Sequence, residues 1–409
     1  MGKCGSKNND SNKSYLLQSL NQHTAGINCM ALSEDGSVLA TGSDDKTARL
    51  WSTKTRKCEC MGTLVGHTDY INCILIEEAD VLTGSADKTI RKWDISTCQC
   101  LLVMEGHKSL IYRIICTGDF VISSSYDRTA KCWDFNEGIS LMTFEGHKRG
   151  VFSLIFIPSD EEEYEDAEDD EAMDILVTGS ADGDAKAWNF ESGECLHTFK
   201  GHTNAITCMA MDSVGETLFT GSLDHTVRSW NVMTGESYKV FQGHQASVIS
   251  LQICNKILYT GSSDHTSRSW VSEFAECTRV YRGHRHTVIC MRFHEGLLFT
   301  GCGDTFCRAF DAKSGALKRT FRGHETAVRT MQLITSYSRD LLTAHLIYGT
   351  SRVWPTRSTT TPSWRKTTTT RRPRCRWKRL KKLADYKTFC KPIISTVYDD
   401  DFIYNLYGL

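Results

Sequence analysis

The chain has 409 residues, enough for two or three ordinary domains or for one large repeat architecture with a continuous core. Its 48 basic and 49 acidic residues nearly cancel, so net charge selects no partner and only the distribution of charge can. No apolar run is long enough to span a membrane and no N-terminal segment reads as a secretory signal, so the 18 cysteines are expected to stay reduced.

Residues 1–13 read as a flexible arm that opens Met1-Gly2-Lys3-Cys4-Gly5-Ser6-Lys7. Gly2 with Ser6 fits the N-myristoylation pattern, and Cys4 fits a neighbouring palmitoylation site. One acyl chain binds a membrane only marginally, so Cys4, Lys3 and Lys7 would have to supply the second signal. The alternative is an unmodified arm.

From residue 14 to 354 one unit repeats. His23, His67, His107, His147, His202, His244, His284 and His324 follow at intervals of 44, 40, 40, 55, 42, 40 and 40 residues. That is the period of a propeller blade. Four residues after each His stands a β-branched aliphatic, from Ile27 to Val328, which marks the buried start of a strand. A second strand ends in a small-residue turn, as in Leu-Ala-Thr-Gly-Ser-Asp-Asp at 39–45. A third strand carries Trp51, Trp93, Trp133, Trp188, Trp230 or Trp270, with Phe310 in the seventh copy. A fourth, such as Glu194 to Phe199, leads to the next Gly-His. The fold class is therefore all-β.

The cysteines follow the same register. Cys29, Cys73, Cys208 and Cys290 lie six residues after their His, and Cys60, Cys100, Cys195 and Cys277 lie seven before the next. They read as small apolar core fillers in equivalent places. The Cys-x-Cys pairs at 58–60 and 98–100 are the only candidates for metal ligands, and no metal is predicted.

Residues 158–174 insert an acidic stretch between the first and second strands of the fourth copy. It is expected to be a disordered loop at the blade end opposite the Gly-His turn, either simply solvated or offered to a basic partner. The eighth copy begins with Gly323-His324 and Val328, and Leu341-Leu342-Thr343-Ala344 matches a second strand. His345-Leu346-Ile347-Tyr348 then stands where a small residue and an Asp belong. Residues 355–409 form a basic low-complexity tail, predicted disordered, with ten Lys or Arg between Arg365 and Lys382 and Trp364 and Trp377 among them.

The recurring order Gly-His … Thr-Gly-Ser-x-Asp-x-Thr-x-Arg-x-Trp resembles the WD-repeat family over roughly residues 14–354. The resemblance implies a single β-propeller of four-stranded blades. Eight repeat starts predict eight blades, with seven as the alternative. Tyr15-Leu16-Leu17-Gln18-Ser19-Leu20 precedes His23 as Glu194–Phe199 precedes His202, so it is expected to close the ring as the outer strand of the last blade.

The resemblance also implies a buried tetrad of His, Thr or Ser, Asp and Trp in each blade. The matching residues are His23, Thr41, Asp45 and Trp51; His67, Thr83, Asp87 and Trp93; and His107, Ser123, Asp127 and Trp133. His147, Thr178, Asp182 and Trp188 follow, then His202, Thr220, Asp224 and Trp230, and His244, Thr260, Asp264 and Trp270. The role is structural, because a catalytic set would not be copied into every blade. The seventh copy keeps His284, Thr300 and Asp304 but has Phe310 for Trp, so it is expected to be looser.

Related propellers bind partners on the face that carries the tetrad turns. The corresponding variable positions hold Tyr70, Leu110, Tyr112, Tyr126, Phe152 and Leu223, which predicts a docking surface on the sector around blades two to four. The expected function is a non-catalytic adaptor or scaffold for other proteins, without cofactor or small-molecule substrate. It would be cytoplasmic, membrane-associated if acylated, with a nuclear location open.

The alternatives are a substrate receptor of a ubiquitin ligase and, in another class, a nucleic-acid-binding protein acting through the tail. No F-box-like region precedes the repeats, Trp-Asp-x-Arg is absent after Trp93 and Trp133, and nucleic acid ranks below protein as a partner. A G-protein β role fits less well, since the 22 residues before His23 carry no heptads. No phosphate loop or nucleophile elbow points to an enzyme.

Overall fold

The computed structural model describes residues 18–54, 58–159, 173–335 and 344–350. The acidic run, the basic tail, Gly2 and Cys4, and the Leu341–Thr343 part of the eighth copy lie outside them.

Every regular element among the described residues is a strand. Blade 1 joins Ile27–Leu32, Val38–Ser43, Thr47–Ser52 and Glu59–Val65 in sequence order, all antiparallel. The same four-stranded meander recurs as blade 2 (Ile71–Met104), blade 3 (Ile111–Glu145), blade 4 (Val151–Phe199), blade 5 (Ile206–Phe241), blade 6 (Val248–Tyr281) and blade 7 (Val288–Phe321). The first strand of each blade packs against the first strand of the next, so these strands form the hub of a ring. The protein is an all-β propeller.

Seven blades have four strands, which is the alternative count. The eighth repeat start contributes a two-stranded sheet, Val328–Thr335 with Ala344–Thr350. Val328–Thr335 packs on the first strand of blade 7 at one side and on that of blade 1 at the other. Arg329 Nη1 donates to Asn28 Oδ1 at 2.8 Å, and Gln332 Nε2 donates to the Met30 carbonyl at 3.2 Å. The ring therefore closes through this sheet.

Two expectations at the closure need correction. The second strand of the eighth repeat is Ala344–Thr350, with a register five residues later than the Leu341–Ala344 match. Its register puts Tyr348 opposite Met331, as Thr300 stands opposite Met291. By register Tyr348 thus stands at the position that Thr300 holds in blade 7. Of the expected N-terminal closing strand, Tyr15–Leu17 lie outside the described residues and Gln18–Leu20 carry no ladder pairing. They still follow an outer-strand course. Leu20 packs in the Met30–Leu39–Trp51 layer, as Phe199 packs on Trp230 with centroids 5.7 Å apart. The Gln18 amide exchanges two hydrogen bonds with the Cys58 backbone, at 3.0 and 2.8 Å.

The core lies between blades. One layer joins Cys29, Leu50 and Leu64 of blade 1 to Ile71, Ile74 and Trp93 of blade 2, and equivalent layers follow around the ring. Inner strands are thus covered on both faces, whereas outer strands are largely exposed and bury chiefly the residue at their end. This explains the glycine of the Thr-Gly-Ser motif. It lies inside the second strand, and its role is to admit the next blade. A Cβ on Gly42 would stand 2.6 Å from Cys29 Sγ and 2.7 Å from Cγ2 of the fully buried Ile71. We predict that Gly42→Ala costs about 1–3 kcal/mol of stability by overpacking. Denaturant midpoints for the two proteins test this, and an unchanged midpoint would contradict the packing.

Candidate interaction face

Each blade from 1 to 6 ends its first turn in a chain of buried hydrogen bonds. In blade 2 the Trp93 indole N–H donates to Thr83 Oγ1 at 2.8 Å. The Thr83 hydroxyl meets His67 Nε2 at 2.7 Å, and His67 Nδ1 meets Asp87 Oδ2 at 2.7 Å. One neutral tautomer satisfies all of them: Nδ1–H donates to the carboxylate and Nε2 accepts from the hydroxyl. The His–Asp contact is 2.8, 2.8, 3.0, 2.7 and 2.7 Å in blades 1, 3, 4, 5 and 6. The indole donates to the Thr or Ser oxygen in each of them too.

The carboxylate also gathers the turn. Asp87 Oδ2 accepts the Thr68 amide at 3.0 Å, and Oδ1 accepts the Thr89 amide at 2.9 Å and hydroxyl at 2.7 Å. Its own amide donates to Ser85 Oγ at 3.1 Å. Burial works to raise each tetrad Asp, but hydrogen bonds from its His and its turn win and hold it far below the carboxylate range. Burial lowers His244 and His284 against the pull of their Asp partners, so these rings stay neutral.

Blade 7 compensates for its missing indole. Phe310 is fully buried in the Trp position, and Arg308 turns inward. Its guanidinium donates to Asp304 at 2.8 and 3.1 Å and contacts His284 Nδ1, while His284 and Asp304 have parted to 3.5 Å. In blade 6 the equivalent Arg268 instead lies over the Trp270 ring at 5.9 Å. The expected looseness thus meets a replacement donor that the sequence reading missed. The signal was Phe306, which leaves Asp304 without the hydroxyl that Thr266 gives Asp264 at 2.6 Å. His284, Cys302 and Asp304 bring metal-ligand atoms within 4.8 Å of one another, but the guanidinium already supplies the positive charge there.

The tetrad turns form one face of the ring. On it the structure brings together five of the six predicted docking residues, Tyr70, Tyr112, Tyr126, Phe152 and Leu223. Tyr112 packs edge-on against Phe152 at 4.6 Å and lies 6.3 Å from Tyr126. Tyr126 is 50% exposed, Tyr70 and Tyr112 are half-buried, and Tyr70 is close enough to bear on the Tyr112 hydroxyl. Burial first, then the Tyr70 and Tyr126 hydroxyls, push that phenol far up. Phe152 and Leu223 are not surface residues. They are buried with Ala181, Ala205 and Ile249 in a layer between the turns and support the rings above. Leu110 is half-buried.

The profile described as WD domain, G-beta repeat matches residues 14–52, 58–94, 98–134, 138–189, 193–231, 235–270 and 275–311. The chain belongs to this family. WD repeat-containing protein 86 of Homo sapiens is 54% identical over 196 residues, 48% of this chain and 52% of that protein. The chain thus spans about half the length of that relative. Mitochondrial division protein 1 of Saccharomyces cerevisiae is 27% identical over 216 residues, 48% of this chain and 26% of that protein. Among solved structures, the computationally designed Ika8 protein aligns at TM-score 0.69 and 26% identity, over 82% of this chain and 96% of its own. Sqt1 of Saccharomyces cerevisiae aligns at TM-score 0.72 and 17% identity, over 81% and 95%, which speaks to fold alone.

In this WD-repeat propeller the cysteines divide. Cys29, Cys73, Cys208 and Cys290 are buried, and burial pushes the Cys73, Cys208 and Cys290 thiols up to about 12. Cys100, Cys195 and Cys277 are exposed and Cys60 is half-buried, which corrects the core-filler reading for them. Their register places them at the start of outer strands, where the chain faces water.

Two predictions follow from the tetrads. Because each folded Asp titrates below its unfolded value of about 3.9, its stabilisation is complete above that pH and drains as pH falls through the folded value. Asp264→Asn is therefore expected to be less stable than wild type at neutral pH, with the gap narrowing below about pH 4; urea curves across pH would show parallel lines if the account is wrong. In blade 7, Asp304→Ala leaves a buried guanidinium without its carboxylate and is expected to cost about 3–5 kcal/mol. Adding Arg308→Ala should recover part of that loss, and a double-mutant cycle without coupling would exclude the inward ion pair.

Proposed function

We propose that this chain is a non-catalytic adaptor that docks partner proteins on its tetrad face, in the sector of blades 2 to 4. WD-repeat propellers generally mediate protein–protein interactions. The observation that carries the reading is the Tyr70–Tyr112–Tyr126 group, aromatic surface left accessible above a buried Phe152–Leu223 layer. Rigid aromatic rings on a fixed base lose little entropy on binding, which is what interface anchors require.

The histidines favour the same view. In blades 1 to 6 both ring nitrogens of the tetrad His are engaged by the hydroxyl and the carboxylate, so neither is free to move a proton to a substrate.

The test is affinity capture with mass spectrometry, comparing wild type with Tyr70→Ala/Tyr126→Ala. These two rings reach solvent, whereas truncating Tyr112 would also open the Phe152 contact. A defined set of proteins lost only from the variant is the expected result. An unchanged set would place docking elsewhere.

A further inference from the structure

The aromatic group is enclosed by cations. Lys108 and Arg128 of blade 3 and Lys148 and Arg149 of the turn entering blade 4 are all exposed. No ion pair joins any of the four to an acidic group among the described residues. Their backbones are fixed. The Lys108 and Lys148 amides each donate to a tetrad carboxylate at 2.8 Å, on Asp127 and Asp182. Arg128 holds a left-handed φ of 74° between Asp127 and Thr129, with its amide on the Ser125 carbonyl.

Gly150, between the cationic pair and Phe152, has no room for a side chain. A Cβ there would stand 2.9 Å from Tyr126 Cδ2 and 3.1 Å from Tyr126 Cα. The glycine thus seats Tyr126 directly beside Lys148 and Arg149. The acids of these turns are Asp127 and Asp182, whose carboxylates are buried in the tetrads and engaged there, the half-buried Asp184, and Asp69 beside Tyr70, whose Oδ1 accepts the Tyr70 amide at 2.8 Å. The charge that reaches solvent around Tyr126 is therefore mainly that of Lys108, Arg128, Lys148 and Arg149.

We propose that blades 3 and 4 dock an acidic peptide segment of a partner protein. A large apolar or aromatic side chain of that segment seats on Tyr126 and Tyr112, and flanking carboxylates pair with Lys108, Arg128, Lys148 and Arg149. The inference rests on the adaptor reading above and adds the chemistry of the partner. Charge complementarity of this kind steers encounter and selects among partners, while the aromatic contact slows release.

The test is a phage-displayed library of random dodecapeptides selected against the full chain. The tightest selected peptide is then measured by fluorescence anisotropy at 50 and 500 mM NaCl. Selected peptides should be rich in Asp and Glu around an aromatic or large aliphatic residue. Affinity should fall at least about tenfold between the two salt concentrations. It should fall by a similar factor in Lys148→Glu/Arg149→Glu, and again in Tyr126→Ala. Both variants alter exposed groups, and their melting temperatures should match wild type.

Neutral peptides that respond to Tyr126→Ala but not to charge reversal would overturn the acidic assignment and leave the adaptor reading standing. Peptides indifferent to both variants, or no enrichment at all, would count against both. An oligodeoxynucleotide that binds as tightly, with the same response to Lys148→Glu/Arg149→Glu, would assign the cations to nucleic acid and overturn the proposal.

Discussion

In blades 1 to 6 an imidazole held between a hydroxyl and a carboxylate ties the third strand to the turn above the first strand. The indole N–H anchors the hydroxyl, the hydroxyl meets the ring, and the ring holds an aspartate that collects the turn amides. Every polar group in this chain of bonds is satisfied, so it can be buried at little cost. Broken at one point, it would leave buried donors and acceptors without partners, which is more expensive than never having had them. Blade 7 shows the constraint at work. Without the indole and the threonine hydroxyl, an arginine that elsewhere lies over the tryptophan ring turns in and bonds the aspartate.

The tetrads fix the turns, and the inter-blade layers fix the tetrads relative to one another. Side chains on the turns therefore project from a backbone whose amides are already engaged. This matters for binding, because a preorganised surface spends less of its contact energy on ordering. The aromatic group on blades 2 to 4 is accessible for the same reason. Phe152 and Leu223 fill the space beneath, and Gly150, without a Cβ, leaves room for Tyr126.

Much of this was legible in the residues. The spacing of Gly-His and the Thr-Gly-Ser-x-Asp motif gave the four-stranded repeat and the members of six tetrads, because each depends on local register that a period of about 40 residues repeats, although it counted eight blades where seven have four strands. Burial across blades was harder. Leu223 shares its position with the exposed Tyr126, whereas Phe152 shares its position with Asn28, Asn72, Thr207, Ile249 and Ile289, all buried, and neither pattern of cover shows in the spacing of the motifs. Cys100 and Cys277 share a register with each other, but register gives equivalence and not exposure. The motif glycine reads as a turn residue in sequence, although its reason is the neighbouring Ile71. In the eighth repeat, Leu-Leu-Thr-Ala mimics a second strand, and the pairing of Val328–Thr335 with Ala344–Thr350 prevails instead, which puts Tyr348 where the hydroxyl belongs.

The central claim is that a partner engages the tetrad face of blades 2 to 4 and not the rim or the opposite face. Hydrogen exchange with mass spectrometry, on the chain alone and with a captured partner bound, tests it most directly. The account predicts new protection confined to peptides spanning 68–72, 108–112, 126–128 and 148–152, with the outer strands unchanged. Protection on the outer strands, or at the blade ends around Ile157 and Ile175, with none at these turns would contradict it.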